Sequence, residues 1–243
     1  FAVGNTKYTD ESALYIAYAA LARGGRMLNT LQDVFLQLLY PAHCPGCGQT
    51  VPRQGQWCPA CWNRVWHPRK LNHSQAIRFL DGCYCLVDYR GAVRHVLHDL
   101  KYNGAKRQAA ACQSFLRQFP WMPRLKQTDV VMPVPLAPEK YKERGFNQTE
   151  LIFRPWAETC WQWADGLQRI RHTDAQWQLS RQERSTNVKR AFEVKGSFSA
   201  SQKHILLVDD IYTTGMTMEA CAKALKEKGA ASVTGLVIAS GTL

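Results

Sequence analysis

The sequence predicts an α/β fold: a parallel sheet flanked by helices, with a small cysteine-bearing module in front of it. Three stretches carry that prediction. ILLVDDIYTTGMT, Ile205 to Thr217, opens with four apolar residues that read as a buried parallel strand, passes two carboxylates and a run of small hydroxyl residues, and enters a helix-forming segment. A second apolar run, DVVMPVPL from Asp129 to Leu136, reads as another buried strand, cut short by Pro133 and Pro135. Ahead of both, HCPGCG and CPAC set two C-x-x-C pairs close together.

The 243 residues suffice for one medium domain and a small one, and a 46% hydrophobic content supports a core of that size. A formal net charge of +12, with a pI near 9.4, points to a polyanionic partner, because clustered Lys and Arg attract phosphate backbones. A small phosphate-rich substrate accounts for part of that charge, and a merely basic soluble protein is the plain alternative. No apolar run approaches the ~20 residues a bilayer span needs, and no basic-then-apolar leader opens the chain, so membrane insertion and secretion are not expected. Nine cysteines, four of them in two tight pairs, do not suit a secreted disulfide framework and point to a reducing cytoplasm.

Residues 1–26 hold a short helical pattern from Glu11 and the break Gly24-Gly25-Arg26, and they are read as an extension with no assigned role. Met27 marks a natural start. Leu28, Leu31, Val34, Phe35 and Leu38 then recur at helical spacing, giving a one-sided packing helix that Pro41 ends. Asp33 is its only charge after Met27, so it lacks the basic face of a membrane-surface helix.

Cys44 with Cys47, and Cys58 with Cys61, can close a tetrahedral Zn²⁺ shell of four thiolates. A redox dithiol would need one pair alone. Four sulfurs leave no open position for catalysis, so the metal is structural and supplies folding energy to a module, 27–70 with its helix, too small to build a core. Trp57, Trp62 and Trp66 stand among Arg53, Arg64, Arg69 and Lys70. That mixture suits single-stranded nucleic acid, where bases stack and phosphates pair, and it equally suits tryptophans that only pack the module.

The main domain is placed at 71–243. CYCLVDYRG gives a strand and a turn, and Val93, Val96, Leu97 and Leu100 give a helix that Lys101-Tyr102-Asn103-Gly104 ends. Residues 107–119 form a second amphipathic helix closed by Pro120. Cys83 and Cys85 read as free buried thiols, and Cys112, Cys160 and Cys221 as core. After the stiff Pro133–Leu136 loop comes KYKERGFNQTE. In it Arg144 is a forked donor for phosphate, and Asn147 and Gln148 can donate at a helix start. Thr173 to Phe192 is basic, polar and weakly patterned, so it is expected to be mobile without ligand. Lys101, Arg144, Asn147, Gln148 and Arg184 are the candidate contacts to phosphate or nucleic acid.

Asp209 and Asp210 are placed where their strand ends, at the edge of an open sheet where ligands bind. Such a pair can accept hydrogen bonds from vicinal sugar hydroxyls or hold a hydrated divalent cation. Thr213, Thr214, Gly215, Met216 and Thr217 then offer hydroxyls and backbone N–H groups at a helix N-terminus, which favours a phosphate monoester. Gly215 removes a Cβ from the path of approach. A P-loop NTPase is the competing reading, and no G-x-x-x-x-G-K-[ST] occurs in the chain. Met218, Cys221, Ala222 and Leu225 face the following helix inward, Gly229 stops it, and a last strand runs from Ala231.

The Ile205–Thr217 stretch resembles the phosphoribosyl pyrophosphate (PRPP) signature of type I phosphoribosyltransferases. DYRG with LKYNG, then PVPL, RGFNQ, LSRQERSTNVKRAF and VDDIYTTGMT, headed by YPAHCPGCG, occur in the order of the ComF family, which the chain resembles from about Leu28 to Leu243. The resemblance implies a type I phosphoribosyltransferase-like parallel sheet behind a zinc ribbon. It implies a cytoplasmic role in natural competence, with PRPP or a ribose phosphate bound at Asp209–Thr217, single-stranded DNA on the basic loops, and other competence proteins as partners. A working phosphoribosyltransferase is the second reading: Mg²⁺-bound PRPP would lose pyrophosphate to a nitrogen acceptor, Asp209 and Asp210 steadying the oxocarbenium-like sugar and Arg144 the pyrophosphate charge. A PRPP sensor without turnover is the third. Two features depart from the pattern: the loop at Pro133–Leu136 lacks the usual glycine, and one cysteine-pair unit stands where many relatives carry two.

Overall fold

In the computed structural model, residues 41–71, 77–170 and 191–241 are described. The chain divides into two units, Phe1–Pro41 and Ala42–Leu243, and every element below belongs to the second. The 1–26 extension, the helix expected from Leu28, and residues 173–190 with Arg184 lie outside the described residues.

The elements run β1 (Ala42–His43), β2 (Thr50–Val51), α1 (Pro59–Val65), β3 (Trp66–Lys70), β4 (Gly82–Asp88), α2 (Gly91–Tyr102), α3 (Ala109–Leu116), β5 (Val130–Pro133), α4 (Pro138–Arg144), α5 (Gln148–Ala157), β6 (Gln162–Trp163), β7 (Leu167–Arg169), β8 (Phe192–Val194), β9 (His204–Tyr212), α6 (Met216–Glu227) and β10 (Ser232–Ser240). Six strands form the central sheet in the order β3-β4-β10-β9-β5-β6. All its neighbours are parallel except β3, which lies antiparallel on β4 at one edge. β1 with β2 and β7 with β8 make two small antiparallel pairs.

Alternation along each strand sends successive side chains to opposite faces, so a sheet covered on both sides must be apolar at every position. Leu86, Leu206, Val208, Leu236 and Ile238 face α2, α3 and α5 in one buried cluster. Cys83, Cys85, Ile205, Leu207, Val233 and Val237 face α6 and the β7–β8 pair in the other. The parallel sheet expected from ILLV and DVVM is therefore present, with helices on both faces.

Four details refine or differ from the sequence reading. β9 does not end at Val208 but continues to Tyr212, because β10 pairs with it as far as Ser240 opposite Tyr212. PEKYKER, to which the sequence assigns no element, is the helix α4, started by Pro138 and stopped by Gly145 at φ 72°. Cys160 is only partly buried, lying in the turn past α5 rather than in the core.

The fourth detail concerns the tryptophans of the cysteine module, for which the sequence leaves packing and base stacking open: all three pack on α3. Rings of Trp57, Trp62 and Trp66 lie 5.3, 5.3 and 6.1 Å from that of Phe115 on α3, and Trp57 Nε1 donates to the Ala111 carbonyl at 3.1 Å. Gly55, at φ +77°, lies so close to α3 that a Cβ would sit 2.5 Å from the Ala110 carbonyl carbon. Trp57 is thereby buried and closed to bases, and Trp62 and Trp66 are partly buried against the same ring.

Candidate functional site

The cysteine module is a metal site by geometry. Sγ atoms of Cys44, Cys47, Cys58 and Cys61 all lie within 4.8 Å of one another, the one such cluster among the described residues. The turns aim backbone donors at sulfur: Gly46 N and Cys58 N donate to Cys44 Sγ at 3.4 and 3.3 Å, and Cys61 N donates to Cys58 Sγ at 3.5 Å. A Cβ at Gly46 would come within 2.7 Å of Cys61 Sγ, so glycine is what lets that turn close. Burial raises the Cys44 thiol, but N–H bonds from Cys58, Gly46 and Cys47 outweigh it and bring its pKa to about 6. Burial and the neighbouring sulfurs push Cys61 to about 12. Four sulfurs held this close by two tight turns are a set that a Zn²⁺ ion fits.

A second site lies at the carboxyl edge of the sheet, in a cleft of about 380 Å³. It brings together Lys101 from α2, Arg144 from α4, Asn147 and Gln148 at the start of α5, Asp209 and Asp210 from β9, and Thr213 and Thr217. Thr214, Gly215 and Met216 belong to the same turn without lining the cleft. The long β9 carries the two acids to this edge inside the strand, so their backbones are fixed by ladder bonds to β10.

Lys101 Nζ lies 2.7 Å from Asp210 Oδ2, an ion pair whose side chains are 17% and 5% exposed. Asp209 Oδ1 accepts from Asp210 N at 2.8 Å and from Thr149 Oγ1 at 3.4 Å. Burial, and then the charge of Asp210, raise the Asp209 pKa to about 8. Arg144 Nη1 donates to Gln148 Oε1 at 2.9 Å, and its guanidinium stands 5.2 Å from the Tyr102 ring centroid. Asn147 caps α5, its Oδ1 accepting from Thr149 N at 3.0 Å, so only its amide group remains for a ligand. Gly215 caps α6 at φ +78°, and a Cβ there would collide with the Tyr212 hydroxyl. Its first demand for glycine is thus internal to the turn.

Lys140, Thr149 and Arg169 also line the cleft and were not anticipated. Thr149 follows RGFNQ directly, and a polar residue in the first turn of an expected helix was its only signal. Arg169 sits at the end of β7, and no local pattern marks it. A larger cleft of about 870 Å³, lined by Tyr141, Lys142, Trp163 and Gln168 among others, shares Pro135, Leu136, Asn147 and Arg169 with the first. Tyr102 and Tyr141 are more than half exposed.

Comparison with known proteins agrees with this architecture. A family model described as a double zinc ribbon domain matches residues 35–85, and one described as a phosphoribosyl transferase domain matches residues 163–241. The DNA utilization protein YhgH of Salmonella typhimurium is 31% identical over 200 residues, covering 78% of this chain and 86% of that protein. The competence protein ComFC of Bacillus subtilis is 29% identical over 208 residues, covering 80% of this chain and 76% of that one. A hypoxanthine phosphoribosyltransferase of Staphylococcus aureus superposes over 52% of this chain and 59% of its own at 14% identity, with a TM-score of 0.29, too slight to carry an argument. Among the described residues no helix is long and apolar enough to cross a membrane. By its sheet, its four-cysteine head and its likeness to YhgH and ComFC, the chain belongs to the ComF family.

Proposed function

We propose that the protein binds PRPP or a nucleic-acid ribose phosphate in the acid-lined cleft and single-stranded DNA on the basic rim beside it, acting in the cytoplasm in the uptake or utilisation of DNA. The observation that carries this reading is the convergence of Asp209, Asp210, Thr213, Thr217, Lys101 and Arg144 on one cleft at the carboxyl edge of the sheet. Carboxylates accept from vicinal hydroxyls, and cations with the N-terminus of α6 favour a phosphate. For the strand, the most exposed aromatic rings among the described residues are Tyr102, which lies beside the Arg144 guanidinium and the His98 ring, and Tyr141, next to Lys142 in sequence. This rim offers more exposed rings for stacking than the zinc-module tryptophans do. The names of YhgH and ComFC, for DNA utilisation and competence, support the same reading.

The test is the anisotropy of a labelled single strand at two salt concentrations, with and without PRPP. Binding should fall steeply with salt as counterions are released, and PRPP should change the affinity. Tyr102→Ala and Tyr141→Ala should each weaken binding by about 1–3 kcal/mol. A strand that does not bind at low salt sinks the DNA role.

A phosphoribosyl transfer is the second reading, favoured by the larger cleft, which adjoins the acids through Asn147 and Arg169 and has room for an acceptor base. Mg²⁺ would enter there with the pyrophosphate of PRPP. Release of pyrophosphate in the presence of a nitrogen base, abolished by Asp210→Asn, would establish it; no release with any base would leave binding alone.

A further inference from the structure

We infer that the Lys101 ammonium stands where a divalent cation would sit on the acid pair, so that sugar phosphates bind this cleft with no metal held by Asp209 and Asp210. The inference rests on the reading of the cleft as a ribose-phosphate site and specifies its electrostatics. Two adjacent carboxylates at a sheet edge are a usual seat for Mg²⁺, which demands octahedral oxygen ligands at about 2.0–2.1 Å and keeps several waters. The acids of this chain do not fit that demand. Asp210 Oδ2 is taken by Lys101 Nζ at 2.7 Å, and Asp209 Oδ1 receives Asp210 N–H and the Thr149 hydroxyl.

Lys101 is not free to swing away. It sits in the last turn of α2, whose Val93, Val96, Leu97 and Leu100 are buried against the sheet, and its own side chain is 17% exposed. A cation there also suits the negative end of the helix. Seating a hydrated dication would force the ammonium off a carboxylate that is itself 5% exposed and leave two like charges together in a poorly solvated place. The ammonium has three donors, and its close ion pair with Asp210 leaves donors for the hydroxyls or phosphate of a ligand. Lys101 lines the cleft, where those donors can reach one.

Isothermal titration of the zinc-loaded full chain with ribose 5-phosphate, in metal-depleted buffer rather than chelator so that the ribbon keeps its zinc, is the first arm. The affinity should be the same within about twofold whether or not Mg²⁺ is added. Lys101→Met should bind about tenfold more weakly without Mg²⁺ and recover with it. The second arm is a Mn²⁺ titration followed by electron paramagnetic resonance, with no sugar present. Wild type should show no site at the acids, whereas Lys101→Met should gain one that Asp210→Asn removes. Wild-type binding of ribose 5-phosphate only with Mg²⁺, or wild-type Mn²⁺ binding that Asp210→Asn abolishes, overturns the inference. If ribose 5-phosphate does not bind wild type at all, the ribose-phosphate reading fails and the Mn²⁺ arm alone decides the cation's place. If Lys101→Met does not fold, the two wild-type titrations decide it.

Discussion

Phe115 is the residue on which the zinc module rests, and Phe115→Ala measures what that contact is worth. The side chain is fully buried and meets the rings of Trp57, Trp62 and Trp66 at 5.3, 5.3 and 6.1 Å. Truncating a buried Phe costs about 3–5 kcal/mol, and aromatic pairs add about 0.5–1.5 kcal/mol each beyond the area they bury. Three such pairs, not fully additive because Trp62 and Trp66 also stack on each other at 4.9 Å, place the variant near the upper end, at about 4–5 kcal/mol. For a chain of this size that is a fall in Tm of roughly 8–20 °C. Thermal unfolding followed by tryptophan fluorescence reads it directly, because the reporting rings are the ones released. Zinc release to a colorimetric chelator should quicken in the same variant, whereas Phe115→Leu should preserve most of both. A loss below about 1 kcal/mol, with zinc release unchanged, would show that the ribbon folds by itself and would refute the packing argument.

Asp209 has its pKa raised from 3.8 to about 8, so its protonated form favours the folded chain; that contribution is complete below about pH 4 and is lost as pH rises through about 8. Asp209→Asn should therefore flatten the fall in Tm between about pH 4 and pH 8, and a wild-type profile already flat there contradicts the assignment. Gly215→Ala puts a Cβ at φ +78° against the Tyr212 hydroxyl and should cost about 2–4 kcal/mol by urea unfolding, part of it recovered by Tyr212→Phe; a loss under about 1 kcal/mol would mean that the turn relaxes freely. Glu219 accepts backbone N–H bonds from Arg78, Phe79 and Leu80 at 2.7 to 3.1 Å, so Glu219→Gln should cost about 1–3 kcal/mol and speed amide exchange at those three residues, an effect absent if the loop is held by other contacts.

Apolar runs with sharp boundaries were the legible part of this chain. β5, β9 and β10, and the helices α2 and α6, follow from them, since a strand buried on both faces tolerates no polar position and a one-sided helix repeats its apolar residues every third or fourth place. WHPRK is an edge strand with polar side chains and a proline, and LQR and FEV are three-residue strands; each is shorter or more polar than any pattern can register. In the site, Asp209, Asp210 and the Thr-rich turn were legible because strand ends and helix starts are local features. Reading Lys101 and Arg144 as phosphate contacts does not reveal their pairings: Lys101 with Asp210 and Arg144 with Tyr102 join residues far apart in sequence, and Arg144 with Gln148, four residues on, joins α4 to α5 across the Gly145 turn. The tryptophans show the limit most sharply. Arg, Lys and Trp side by side describe a stacking platform and a packed module equally well, and only Phe115, about fifty residues further along, decides between them.

The same contacts explain why a structural metal belongs on a protein whose candidate site holds none of its ligands. Trp57 of the ribbon donates to the Ala111 carbonyl on α3, Gln113 of α3 donates through Nε2 to the Leu151 carbonyl on α5 at 2.9 Å, and the first turn of α5 carries Gln148 against Arg144 and Thr149 against Asp209. Helix α5 is therefore held on one side by the element that the ribbon caps and presents its N-terminus to the cleft on the other. Ile152 and Phe153, both fully buried, fix it on the sheet in the cluster that contains the ribbon's Cys44, Trp57, Cys58 and Cys61. A ribbon that lost its metal would release Trp57, and with it the covering of Phe115 and the back of α3. The cost would fall on the seat of α5, whose two residues Gln148 and Thr149 orient Arg144 and Asp209. In Cys58→Ser, ribose 5-phosphate affinity should fall although no ligand of the zinc touches the cleft; an affinity equal to wild type in a variant shown to have lost its metal would mean that β9 and α4 hold the site without α5.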